Sequence, residues 1–162
     1  DWTKFRILTD ASESFLENKK LFVRNPNSVR PWQHVLEPLL GYLILAQKLF
    51  GNKKFFFSSS WNFGPKKQNQ VKVKEFTKVL KNKMKSKSKI ILNKKTDNRE
   101  KKYLDLNSKK STRYLGWKSF LTFNMTLDLT AEWYLAYKNR KNMLQVTTNQ
   151  IQKYMKFTKN DL

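Results

Sequence analysis

The chain contains no cysteine, so disulfides, a thiol nucleophile and cysteine-based metal sites are excluded. Histidine is almost as scarce. The single His34 rules out a histidine cluster and weakens any Ser-His-Asp reading. Only four glycines are present and none stand close together. Neither a dinucleotide-binding fingerprint nor a P-loop can be drawn from them. Long apolar runs are missing as well. The best, Leu39 to Ala46, falls far short of the roughly 20 residues needed to span a bilayer. No secretory signal is visible, and the chain starts at Asp1 rather than Met, which fits a fragment. Acidic residues are few, 12 against 34 Lys and Arg.

What is present is bulk apolar surface and positive charge. Twelve Phe, 6 Tyr and 5 Trp are too many large apolar groups for a disordered tail. At 162 residues the chain is long enough for one domain with a core, or for part of a larger one. The net charge of +22 invites a polyanion-binding reading. The plainer reading is drift towards Lys and Asn, which AT-rich coding favours. Drift replaces exposed positions and spares buried ones. Lys is dense in the polar stretches and absent from Trp32 to Gln47, so the plainer reading is preferred. No helix-turn-helix, RNA-binding sheet signature or zinc finger is recognisable. Nucleic acid is then expected to bind only weakly, through charge, without sequence preference.

Periodicity and breakers predict alternating short strands and helices. Helices are expected over residues 6–16, 38–50, 73–84, 108–115 and from Asn124 or Thr126 onward, with a terminal helix near 148–157. Strands are expected over 21–23, 55–63, 89–92 and 103–106, and 32–36 reads as extended. Pro38 suits a first helical turn, Ser108 an N-cap and Gly116 a helix stop. The fold class is therefore mixed α/β. No catalytic dyad is drawn; the Tyr134 to Lys138 string is set aside. The chain does not look self-sufficient for chemistry.

Several strings resemble one family in one order. They are Arg24-Asn25-Pro26, Arg30-Pro31-Trp32-Gln33-His34-Val35-Leu36-Glu37-Pro38-Leu39, Gly41-Tyr42-Leu43 and Trp61-Asn62-Phe63-Gly64-Pro65. Tyr103 to Lys109, Leu115-Gly116-Trp117, Glu132-Trp133-Tyr134 with Tyr137, Gln150-Ile151 and Tyr154-Met155 continue the series. Together they resemble the C-terminal half of the CDP-glucose 4,6-dehydratases, extended short-chain dehydrogenase/reductases of the NAD-dependent epimerase/dehydratase family. Asp1-Trp2 and Arg6 look like the remains of that family's Gly-Gly-Asp-Trp segment and the helix start after it. Leu115-Gly116-Trp117 alone is weak, since many relatives share it. The Arg30 to Leu39 string is specific within the superfamily.

The resemblance implies a substrate-binding portion, one incomplete domain over 1–162, lacking the Rossmann N-terminal half. It implies an NAD-dependent lyase as parent, converting CDP-glucose to CDP-4-keto-6-deoxyglucose, with NAD held upstream. Sibling readings keep the fold and change the nucleotide, or replace dehydration by epimerisation. A cytoplasmic, homodimeric parent in deoxysugar biosynthesis for lipopolysaccharide O-antigen is implied too. The substrate-binding residues it implies are Arg30, Arg24, Asn25, Glu100 and Arg6. Arg30 is the foremost: a guanidinium can hold a pyrophosphate in bidentate fashion. Its plainer alternative is a surface pair with Glu37. Glu100 would accept from ribose hydroxyls, but the family's His-Glu-Ala is Arg99-Glu100-Lys101 here, and a solvated charge is the alternative. Arg24 and Asn25 either reach the nucleotide or shape a turn. His34 reads as structural, and Trp32, Trp61, Trp117 and Trp133 as packing residues.

Overall fold

A computed structural model describes residues 2–51, 54–93 and 101–158, apart from the Lys54 side chain. The elements run α1 (Ile7–Leu16), β1 (Leu21–Val23), β2 (Val29–Pro31), α2 (Leu36–Leu49) and α3 (Lys54–Phe57). A 3₁₀ turn (Lys67–Asn69), β3 (Gln70–Lys72), α4 (Val73–Lys83) and β4 (Ile90–Leu92) follow. The chain closes with α5 (Lys109–Leu115), α6 (Phe123–Lys138) and α7 (Met143–Thr158). The mixed α/β expectation holds.

Two small ribbons carry the β-structure. β1 and β4 pair in parallel, with Leu21 opposite Ile90. β2 and β3 pair antiparallel, with Arg30 opposite Val71 and Pro31 opposite Gln70. α1 and α4 pack on the first ribbon, α6 packs on both helices, and together they bury Ala11, Phe15, Leu21, Phe76, Leu80 and Leu127 in the main core. Trp32 joins the two parts: its ring stacks on Phe76 at 3.6 Å and its indole N–H donates to the Val71 carbonyl at 2.9 Å. A second core places Phe57, Phe63, Leu115 and Trp117 against α2. Gly41 lets α2 approach Phe63, because a Cβ there would lie 2.4 Å from the ring.

The predicted strand over 55–63 is not formed. Lys54–Phe57 makes one helical turn, and the Trp61 indole donates to the Phe57 carbonyl at 2.9 Å. Local bonds of this kind compete with a sheet ladder. The aromatic rings are spent on packing instead: Phe57 faces Trp61 and Phe56 meets Tyr114 edge-on. The strand over 103–106 shrinks to one parallel bridge between Tyr103 and Val29, because the Asp105 carboxylate takes the Leu106 N–H at 2.7 Å. The extended stretch after Trp32 ends early, since α2 begins at Leu36.

Caps differ in detail. Thr122, not Asn124 or Thr126, caps α6 and accepts from Met125 N; it is the residue with extended dihedrals, as an N-cap requires. α7 begins at Met143, where the Asn142 side chain accepts the Gln145 N–H at 3.1 Å. Gly116 ends α5 in the left-handed region at φ 70°. Ser108 makes no cap bond; its hydroxyl accepts the Gly64 N–H at 2.6 Å.

Glu37, 1% exposed in the first turn of α2, is bonded through both carboxylate oxygens. Its Oε1 accepts the N–H groups of Phe120 at 2.8 Å and Leu121 at 3.0 Å, and the Tyr154 hydroxyl at 3.3 Å. The Ser119 hydroxyl donates to Oε2. The Glu37 carbonyl accepts the Trp117 indole at 3.1 Å. One carboxylate thus joins α2, segment 119–121 and α7, and the carbonyl of the same residue ties in Trp117. Removing it strands several buried donors, each costing about 1–3 kcal/mol. Glu37→Ala is therefore expected to lose roughly 3–5 kcal/mol in urea unfolding, against roughly 1 kcal/mol for Trp133→Phe, whose indole N–H bonds Thr147 near the surface.

Candidate functional site

The Arg30 to Leu39 string folds as strand, turn and helix start. Arg30 lies in β2. Its Nη1 donates to the Val29 carbonyl at 2.8 Å and to the Lys101 carbonyl at 3.0 Å. These bonds hold the guanidinium beside the segment that follows residue 100. Glu100 itself lies outside the described residues. The alternative of an Arg30–Glu37 surface pair is contradicted, because Glu37 is buried and bonded to segment 119–121 and Tyr154.

Arg24 is held elsewhere. Arg24 Nη2 donates to the Phe5 carbonyl at 3.3 Å, so its guanidinium lies beside the backbone leading to Arg6, the residue before α1. Asn25 opens the turn after β1, its carbonyl accepting the Ser28 N–H at 3.2 Å. Arg24 is thus held against the backbone that leads to Arg6, and Arg30 against Lys101, which was not among the predicted residues. Tyr134 and Lys138 do have the four-residue spacing of a dyad. Tyr134 is core, 4% exposed, and burial raises its phenol pKa. Lys138 Nζ donates to the Leu16 carbonyl. Packing and a structural bond occupy the pair.

His34 is structural, as expected. Its Nδ1 accepts the Leu36 N–H at 3.4 Å and its carbonyl the Glu37 N–H at 3.1 Å, serving the start of α2 in place of a Ser or Asp cap. It borders a cavity of about 470 Å³ with Gln33, Leu36, Trp133, Tyr134 and Gln150. Sequence reasoning missed the role of Glu37. A signal existed: it is the only charged residue in the otherwise Lys-free stretch from Trp32 to Gln47. Beside it, burial and then the Glu37 carboxylate push the Tyr154 hydroxyl far above its usual range.

The glycines test the expected cofactor. Gly41 packs on Phe63, Gly64 on Leu106, and Gly116 ends α5; Gly51 follows α2. None opens a helix as a phosphate cradle would require. Among the described residues no glycine turn fits the pyrophosphate of NAD. Among the described residues no cluster of three or more metal-ligating side chains occurs, and no described helix is long and apolar enough to cross a membrane.

The geometry defines an α/β chain with an arginine braced at a ribbon edge and, among the described residues, no glycine-rich dinucleotide cradle. No family model matches the chain. It is 35% identical, over 160 residues, to the CDP-glucose 4,6-dehydratase of Salmonella typhimurium. That match takes in 98% of this chain and 44% of the relative. The likeness carried by the Arg30 to Leu39 string thus extends over nearly the whole chain, and the chain spans less than half the length of the relative.

Burial lowers the His34 pKa from its usual 6.5 to about 4. Between those values the unfolded chain binds a proton and the folded chain does not. Stability is therefore undiminished above about pH 6.5 and falls as pH drops towards 4, by about 3 kcal/mol. Urea unfolding at pH 7 and pH 4.5 measures this. His34→Asn, whose Oδ1 can stand in for Nδ1, is expected to flatten that slope.

Proposed function

We propose that the chain is the nucleotide-sugar-binding portion of a 4,6-dehydratase acting on CDP-glucose. The product is CDP-4-keto-6-deoxyglucose, the parent is a lyase, and residues 1–162 form one incomplete domain. The observation that carries this reading is the 35% identity across 98% of the chain. The braced guanidinium of Arg30 supports it. Two of its donor directions are tied to backbone carbonyls, and a guanidinium held this way is pre-oriented for phosphate oxygens at little further entropic cost.

In this reading Arg30 contacts the pyrophosphate, Glu100 the ribose, and Arg24, Asn25 and Arg6 the rim of the nucleotide. NAD, supplying hydride transfer, is bound by a portion of the parent outside this chain. This chain's own part is to bind and orient the sugar nucleotide. The outer face of α2, where Leu39, Tyr42 and Leu43 are exposed, suits contact with that further portion. The parent is a cytoplasmic homodimer.

Calorimetric titration of the chain with CDP-glucose tests the binding. Saturable binding is expected, with UDP-glucose and dTDP-glucose weaker. Arg30→Gln is expected to weaken CDP-glucose by about tenfold to a hundredfold, as for loss of a charge-assisted bond. Turnover of CDP-glucose with NAD by this chain alone would contradict the division of labour. Undiminished affinity in Arg30→Gln would contradict the role of Arg30.

A further inference from the structure

Side chains alternate across a ribbon, and residues directly opposite share a face. Arg30 therefore shares a face with Val71, and Pro31 shares the other with Gln70. Gln70 borders a cleft of about 770 Å³; Arg30 and Val71 do not. The cleft thus lies on the side of the ribbon away from Arg30. Its size falls within the roughly 300–1,000 Å³ of small-molecule sites.

Three separate stretches bring cations to it: Lys66 and Lys67 from the loop before β3, Lys109 and Arg113 from α5, and Lys118 from the segment after it. Asp105 is the one carboxylate among the described lining residues, and its Oδ1 is engaged by the Gln70 side chain and the Leu106 N–H. The walls are fixed to one another. Gly64 N donates to Ser108 Oγ at 2.6 Å, Lys66 Nζ donates to the Phe120 carbonyl at 3.3 Å, and a Cβ on Gly64 would lie 2.6 Å from Leu106 Cβ. The back wall, Ser119 and Phe120, hangs on the buried Glu37. Drift towards Lys would scatter charge over convex surface. Here cations from three stretches converge on one concave site, where low-dielectric walls focus their field.

We propose that this cleft binds the diphosphate of a small phosphorylated molecule, at a site separate from Arg30. Lys67, Lys109 and Arg113 supply charge-assisted donors, which favour phosphate oxygens. The apolar Pro65, Leu106 and Phe120 accommodate the remainder of the molecule.

The test uses the full chain carrying Arg30→Gln, which leaves the cleft as the phosphate site. Inorganic pyrophosphate is titrated calorimetrically at fixed ionic strength. A cleft variant adds Lys67→Gln, Lys109→Gln and Arg113→Gln. A control variant adds Lys78→Gln, Lys85→Gln and Lys87→Gln, removing the same charge from exposed positions on and after α4 that do not line the cleft. The cleft variant is expected to lose affinity on the order of a hundredfold, and the control less than about threefold. ADP runs in parallel: tighter binding than pyrophosphate assigns a nucleotide, and equal binding assigns a free oligophosphate. No pyrophosphate binding before the cleft substitutions, or equal loss in both variants, overturns the proposal.

Discussion

A single buried carboxylate organises the junction of α2, segment 119–121 and α7. Glu37 is withdrawn from water at the start of α2 and surrounded by neutral donors from segment 119–121 and α7. Burying a charge costs several kcal/mol unless its oxygens are well satisfied. The donors must therefore arrive together and in register, or the helix start cannot be buried. That condition fixes segments more than 80 residues apart in sequence, as the separation of Glu37 from Phe120 and Leu121 shows. The main core of α1, α4, α6 and the parallel ribbon rests on apolar packing, which tolerates volume-conserving change. The Glu37 network tolerates little, because every donor left over is a buried polar group without a bond.

The same string of sequence serves both halves of the account. Arg30 sits at its start in a strand, and Glu37 lies seven residues on, in a helix. The turn between them is set by His34, which takes the first N–H groups of α2. The strand presents Arg30 beside Lys101, while the helix anchors the Ser119 and Phe120 wall of the basic cleft. The braced Arg30 and the Glu37 scaffold thus lie on one continuous motif. The +22 charge is then mostly dressing on this frame, with five of the cations lining the cleft.

Local patterns were readable wherever one period dominated. α1 and α4 carry apolar residues at helical spacing on one face, and β1 and β4 are short apolar runs between polar breakers. Gly116 announced its left-handed stop. The errors fall where side chains decide the backbone. Phe55 to Phe63 has strand composition, yet Trp61 bonds back to Phe57 and the rings pack on α2 and α5. Residues 103–106 lose their ladder to the Asp105 side chain. For the site, Arg30 was legible as a type of residue in a specific string. Its backbone bracing was not, because Lys101 is 71 positions away. Glu37 was legible only through a contrast in composition, since a lone acid in an uncharged run reads equally well as a first-turn helix residue.

The most direct measurement is amide hydrogen exchange at Phe120 and Leu121. If the buried carboxylate holds segment 119–121, both amides exchange only through global unfolding, with protection within about 1 kcal/mol of the slowest amides of α6. In Glu37→Gln that protection drops while α6 stays protected. Exchange of the two amides at the rate of an exposed loop, with α6 intact in the unsubstituted chain, would contradict the account.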